Sequence, residues 1–202
     1  MPIKLLKSRQ SDASPAALIE EDIRLGLEIV DIYKKAKYYK DLKVKRAIAN
    51  IIRNCNGALH CGGSFKNGCL YREKNLNEFW KSGNGENVVC DHAIPVTQLV
   101  ELYLESKMDL KELIFSPVVR ITKAADQNLT KKHAKTGTRE NLPLFRYSHI
   151  NLEIVTHTNK SVDPMTWTYQ DHWNLINQST PELAETLHAL FGQNIPYRQK
   201  QP

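Results

Sequence analysis

Val88-Val89-Cys90-Asp91-His92-Ala93-Ile94-Pro95 sets a carboxylate and an imidazole at the end of a short apolar run. The run has the length and β-branched content of a strand, and Pro95 limits its continuation. Val118-Val119-Arg120-Ile121-Thr122 is a second run of the same kind. Thr122 stands where it can cap a helix through Ala124, Ala125, Asn128 and Leu129. Strand, strand and helix in that order decide the fold class.

Residues 97–117, between the two strands, read as helical. Leu99, Leu102 and Tyr103 belong to one helix; Asp109 caps a shorter one with Leu110, Leu113 and Ile114, which Pro117 closes. Upstream, Ser14-Pro15 is an N-cap with proline at the first helical position. Ile19, Ile23, Leu27 and Val30 recur at helical spacing and predict a helix to about Tyr38. Val44, Ile48 and Ile51 mark a second helix. Residues 54–86 are rich in Asn, Gly and Cys and read as irregular loop, with a short helix at Phe79 and Trp80. Downstream, Ile150, Leu152 and Ile154 alternate as a third strand, and Thr180-Pro181-Glu182 opens a last helix with Leu183, Leu187 and Leu190, ending at Gly192. Trp167, Tyr169 and Trp173 read as core packing, with base stacking as the alternative. His149, His157, His172 and His188 show no ligand spacing.

Composition bounds the function. The chain has 202 residues, 28 Lys+Arg against 22 Asp+Glu, and 41% hydrophobic residues. Such a chain can bury a core and is not disordered. No run approaches the roughly 18 apolar residues of a membrane span. The basic start Met1-Pro2-Ile3-Lys4 lacks an apolar signal region, and four cysteines without a leader point to a reducing cytoplasm. The excess positive charge is clustered. Lys34, Lys35, Lys37, Lys40, Lys43, Lys45, Arg46 and Arg53 form one stretch, with tyrosines inside it. Arg120, Lys123, Lys131, Lys132, Lys135, Arg139 and Arg146 form a second. Two such clusters point to a polyanion, since neutralising phosphates needs grouped cations.

Asp91-His92 beside basic segments suits metal-assisted phosphodiester hydrolysis: the carboxylate holds a hard cation and the imidazole deprotonates water. With Asp-His-Ala-Ile-Pro-Val, the second strand and the helix carrying Asn128, residues 87–135 resemble the HNH endonuclease superfamily in its Asp-His…Asn variant. The resemblance implies an α+β fold, a ββα-metal nuclease core embedded in a largely helical single domain. It implies that Asp91 binds the metal, that His92 is the general base, and that Asn128 completes the metal site. Asp126 and His133 are rivals to Asn128, because the connection between the strands is longer than the minimal motif's. Mg²⁺ is the expected ion, with Mn²⁺ able to substitute. The products implied are 5′-phosphate and 3′-hydroxyl ends, in a restriction-type or a phage or mobile-element enzyme. The alternative is a non-catalytic nucleic-acid-binding module.

The expected organisation is a basic helical region over 1–54, the nuclease core with its Cys/Gly-rich loop over 55–160, and a helical extension over 161–202. Double-stranded DNA is the expected partner, contacted by Lys34, Lys35, Lys37, Lys43, Lys45, Arg46, Arg120, Lys131, Lys132 and Arg139; a homodimer is left open. Cys55, Cys61, Cys69 and Cys90 are separated by 5, 7 and 20 residues, without the close pair of a zinc knuckle. They are nonetheless a candidate structural Zn²⁺ set in one loop-rich stretch, in which His60 could replace a cysteine.

Overall fold

The computed structural model describes residues 15–36, 41–61, 69–76, 87–108, 110–133, 141–179 and 189–190. Helix α1 (Pro15–Lys35) and helix α2 (Leu42–Cys61) pack against each other. Ile23, Gly26 and Val30 of α1 are buried, as are Ile48, Ile52, Cys55 and Leu59 of α2. Asp41 caps α2 by accepting the Lys43 amide at 2.7 Å. The loop expected from residue 54 begins later, because the apolar stripe of α2 continues through Cys55 and Leu59. Asn56, buried in that stretch, donates its amide to the carbonyls of Ile114 (3.1 Å) and Ser116 (2.9 Å).

The sheet is mixed, and helices and strands together make an architecture compatible with the expected α+β class. Its strands are β1 (Tyr71–Glu73), β2 (Val88–His92), β3 (Val118–Thr122), β4 (Ile154–Thr156) and β5 (Ser161–Val162), in the order β2-β3-β1-β4-β5. Strand β3 pairs antiparallel with β2 and parallel with β1. Helices α3 (Val96–Leu104) and α4 (Leu110–Phe115) fill the connection from β2 to β3. Helix α5 (Lys123–His133) follows β3 without a linker and packs on both β2 and β3. Its start is capped as its sequence requires: the Ala125 amide donates to Thr122 Oγ1 at 3.2 Å. Where a strand was expected from Ile150, a 3₁₀ turn (Phe145–Ile150) runs instead and β4 begins at Ile154.

Helix α6 (Tyr169–Ser179) starts with a reciprocal cap, the Thr168 amide on Asp171 Oδ2 and the Asp171 amide on Thr168 Oγ1. A buried polar chain fastens α6 to the sheet. His172 Nε2 lies 3.2 Å from the Phe115 carbonyl, which only accepts, so that nitrogen carries the proton. Nδ1 therefore accepts from the Tyr71 hydroxyl at 2.7 Å, and Tyr71 accepts from Trp167 Nε1 at 3.0 Å. Trp167, Tyr169 and Trp173 thus pack as the core residues they were read to be. The last predicted helix, apart from Ala189 and Leu190, and the short one at Phe79 and Trp80 lie outside the described residues. Among those described, no helix is long and apolar enough to cross a membrane.

Gly26 marks the closest approach of α1 to α2. A Cβ there would meet Cys55 Sγ at 2.5 Å and Ile51 Cγ2 at 3.1 Å. Gly26→Ala is therefore expected to destabilise the chain by about 1–3 kcal/mol, overriding the gain in helix propensity. Urea unfolding of Gly26→Ala beside Gly26→Ala/Cys55→Ala checks this: the double variant should recover part of the loss.

Candidate functional site

Asp91 and His92 are adjacent in a strand, and a strand turns successive side chains to opposite faces. Their cross-strand partners are Val119 and Val118. Asp91 consequently shares its face with Val89, Val119 and Ile121, the face on which Ala125 and Leu129 of α5 and Tyr147 pack. His92 shares the other face with Cys90, Val118 and Arg120.

On the first face, Asp91 Oδ2 accepts two hydrogen bonds, from Arg146 Nη1 at 2.7 Å and from the Tyr147 hydroxyl at 3.0 Å. Arg146 Nη1 also donates to the His92 carbonyl at 3.1 Å. The Asp91 and Arg146 side chains are 14% and 4% exposed, so this ion pair is buried. Burial pushes the Asp91 carboxyl above its usual pKa; the Arg146 charge and the bonds from Tyr147 and Arg146 pull it down, and the Asp126 carboxylate pushes it up again. Tyr147 is itself held protonated, by burial first and by Asp91 next.

Asp126 thus stands within the field of Asp91. Ala125 and Leu129 form the contact line of α5, and helical geometry sets Asp126 and Asn128 on opposite flanks of it. Asp126 is on the flank whose charge reaches Asp91. Asn128 is half-buried on the other flank. The His133 side chain is outside the described residues.

His92, on the second face, is 7% exposed, and its Nε2 is buried without a hydrogen-bond partner. Burial lowers its pKa to about 3, with His60 and Arg53 adding to the shift, so the imidazole is neutral at pH 7. The positive charge of Arg53 belongs to a stripe on the exposed side of α2, Lys43, Arg46, Asn50 and Arg53, spaced 3, 4 and 3 residues apart. Lys45 beside it is half-buried.

Other predicted DNA contacts are differently placed. Lys34 Nζ donates to the Tyr103 carbonyl (3.0 Å) and to Ser106 Oγ (3.1 Å), and sits 4.3 Å from the centre of the Tyr103 ring. Its charge serves the C-terminal end of α3, a packing role that its sequence neighbours concealed. Lys35 pairs with Asp31 at 2.5 Å. Lys131 is exposed, and Arg120 is half-buried beside Cys90. Lys37, Arg139 and the side chain of Lys132 lie outside the described residues.

The four cysteines are divided. Cys69 Sγ and Cys90 Sγ are 3.6 Å apart. Cys55 packs elsewhere, between α1 and α2, where burial pushes its thiol up to about 11. The Cys61 side chain is outside the described residues. His60 Nε2 donates to the Ile114 carbonyl at 3.1 Å, its Nδ1 is buried without a hydrogen-bond partner, and its ring stacks on His172. Among the described residues, no group of three or more His, Cys, Asp and Glu side chains is arranged around one point as metal ligands.

Arg146 and Tyr147 as partners of Asp91 escaped the sequence reading. The signal was an arginine inside the apolar run Leu142-Pro143-Leu144-Phe145-Arg146-Tyr147, a context that requires a buried counter-charge.

Arg146→Ala leaves the Asp91 carboxylate buried without its cation and is expected to cost about 3–5 kcal/mol at pH 7. The variant's Asp91 loses the charge and hydrogen bond of Arg146 and keeps only the Tyr147 bond, so its folded-state pKa rises further above the unfolded value. Protonation then favours the folded variant, and the loss should shrink as the pH falls through the unfolded carboxyl pKa. Urea titrations of both proteins between pH 7 and pH 4 check the sign; a loss that grows on acidification would remove the pair from this role. Comparison with protein-family models, with curated proteins and with solved structures finds no match to this chain, so its geometry carries the functional reading.

Proposed function

We propose that the chain is a metal-dependent endonuclease of the HNH type, hydrolysing DNA phosphodiester bonds in a restriction-type, phage or mobile-element setting. The observation that carries the reading is the unit of β2, β3 and α5: an antiparallel strand pair followed directly by a helix packed on it, with Asp91 facing that helix near Asp126. Asp91, whose carboxyl is raised by burial and, in part, by the Asp126 charge, is an oxygen donor suited to a hard divalent cation. Mg²⁺ would be held by Asp91 together with Asp126 or Asn128, and when bound it supplies positive charge at the phosphate and acidifies water.

The chain's own part in this chemistry is positioning and proton transfer. Arg146 and Tyr147 fix the Asp91 carboxylate through Oδ2. His92 is neutral at pH 7 and offers an unpartnered Nε2 to take the proton of the attacking water. Lys43, Arg46 and Arg53 line one exposed face of α2, of which the Arg53 charge acts on His92, and would supply the phosphate contacts. The rival, a non-catalytic DNA-binding module, draws on one specific observation. Asp91 and His92 occupy opposite faces of β2, and Asp91 Oδ2 is already committed to Arg146 and Tyr147.

Nicking of supercoiled plasmid with and without Mg²⁺ separates the two. His92→Ala is expected to abolish metal-dependent nicking while DNA binding stays near that of the parent chain; Asp91→Asn should abolish nicking too, but it also strips Arg146 of its buried counter-charge and is read beside its urea midpoint. Cleavage by His92→Ala within about tenfold of the parent rate would remove it as the base. No nicking by the parent chain in Mg²⁺ or Mn²⁺, with binding intact, would favour the rival. Separately, Lys43→Glu/Arg46→Glu/Arg53→Glu should weaken binding and reduce the slope of log K against log salt by roughly one per lost phosphate contact. An unchanged slope would make the stripe a solvated helix face.

A further inference from the structure

Helix α1 buries one side against α2, through Ile23, Gly26 and Val30. Its opposite side is not uniformly polar. Leu25, Ile29 and Ile32, spaced four and three residues apart, form a stripe there and are 42%, 42% and 66% exposed. One exposed apolar residue is ordinary, but three in register on a helix that already has a buried side mark a surface that associates.

The charges beside the stripe say with what. Glu21, Arg24, Glu28, Asp31 and Lys35, spaced 3, 4, 3 and 4 residues apart, run along one flank of it with their side chains largely in solvent. From the N-terminal end their signs are negative, positive, negative, negative, positive. Reversed, the row is its own complement at every position but the middle one. Laid antiparallel on a second copy, Glu21 faces Lys35 of that copy and Arg24 faces its Asp31, and symmetry repeats both contacts. Within one helix Arg24 already lies 3.6 Å from Glu21, and Lys35 lies 2.5 Å from Asp31. These pairs and the contacts across the axis close a ring of four alternating charges on each side. Glu28 alone meets its own kind, and Arg24 of the same chain holds it at 2.9 Å. The same reversal sets Leu25 beside Ile32 of the second copy and Ile29 against itself, with the helix dipoles opposed. A parallel pairing would align like charges instead. A lipid surface fits poorly, because carboxylates border the stripe where an interfacial helix carries Lys and Arg.

We propose that α1 is a self-association surface, through which two copies of the chain pair antiparallel about a two-fold axis near Ile29. Two helices of 21 residues, each about 30 Å long, make a small interface, so the dimer is reversible and concentration-dependent. The proposal is independent of the nuclease reading and would stand if no nicking were found.

Sedimentation equilibrium of the full chain between about 1 and 300 µM tests it, and a monomer–dimer equilibrium within that range is the expected result. Ile29→Gln/Ile32→Gln should weaken dimerisation by about tenfold or more. Its circular dichroism and urea midpoint should stay near those of the parent, since both side chains face solvent in the single chain. Glu21→Lys and Lys35→Glu should each weaken the dimer, and Glu21→Lys/Lys35→Glu together should restore it, because antiparallel pairing sets position 21 against position 35. A parallel pair, or a dimer formed through another surface, gives no such recovery. A chain that stays monomeric over the whole range, a dimer untouched by Ile29→Gln/Ile32→Gln, or a double charge variant no stronger than its two parents would each overturn the proposal.

Discussion

The Asp91–Arg146 pair is the interaction on which the architecture turns. Taking two charges out of water costs several kcal/mol for each, and only close geometry with further hydrogen bonds offsets that cost. Both conditions are met: the contact is 2.7 Å, the Tyr147 hydroxyl adds a bond to the same oxygen, and Arg146 reaches the His92 carbonyl as well. These bonds staple the 3₁₀ turn to the end of β2. They also fix which way β2 faces. With Asp91 committed to the α5 side, the two-residue period of the strand sends Cys90 and His92 to the other.

A second constraint positions the partner strand. The connection from β2 to β3 is long enough to wander, yet β3 enters the sheet in a defined register. Asn56 explains this, because its amide holds the carbonyls of Ile114 and Ser116 just before β3 begins. Helix α2 therefore has two duties on two faces. Its buried stripe and Asn56 set the end of α4, and its exposed stripe of Lys43, Arg46 and Arg53 is presented to solvent by the same packing.

Elements coded by local rules were legible in the sequence. Strand β3 and its Thr122 cap appear where the apolar run and a threonine placed them, and α4 falls between Asp109 and Pro117. What escaped was coded by distant partners. Strand β1 is three residues, two of them charged, and exists because β3 and β4 pair with it on either side. The second half of α2 has the composition of a loop, and its burial against α1 makes it helical. The cap Thr168–Asp171 before α6 was a local signal that went unread. At the site, Asp91 and His92 read as one constellation because they are consecutive; the strand period separates them. Asp126 reaches the field of Asp91 because the flank of a helix that meets a sheet depends on packing, which spacing alone does not reveal.

The separation has a physical logic of its own. A carboxylate and a pair of thiols one residue apart on the same face would compete for any cation and raise one another's pKa by like-charge repulsion. Alternation along β2 turns them to opposite faces, although the Asp91 charge still reaches Cys90 and raises its thiol. The Asp91 face offers oxygen donors suited to hard ions, and the Cys90 face offers sulfur suited to soft ones. Arg146 and Arg120 then give each face its own positive charge. One five-residue strand can in this way carry two kinds of donor chemistry, provided its register against β3 does not slip. A shift of one residue would move Asp91 to the thiol face and Cys90 to the Arg146 face, and every donor would meet the wrong partner. The buried ion pair at the end of β2 and the Asn56 clamp before β3 hold that register from both sides.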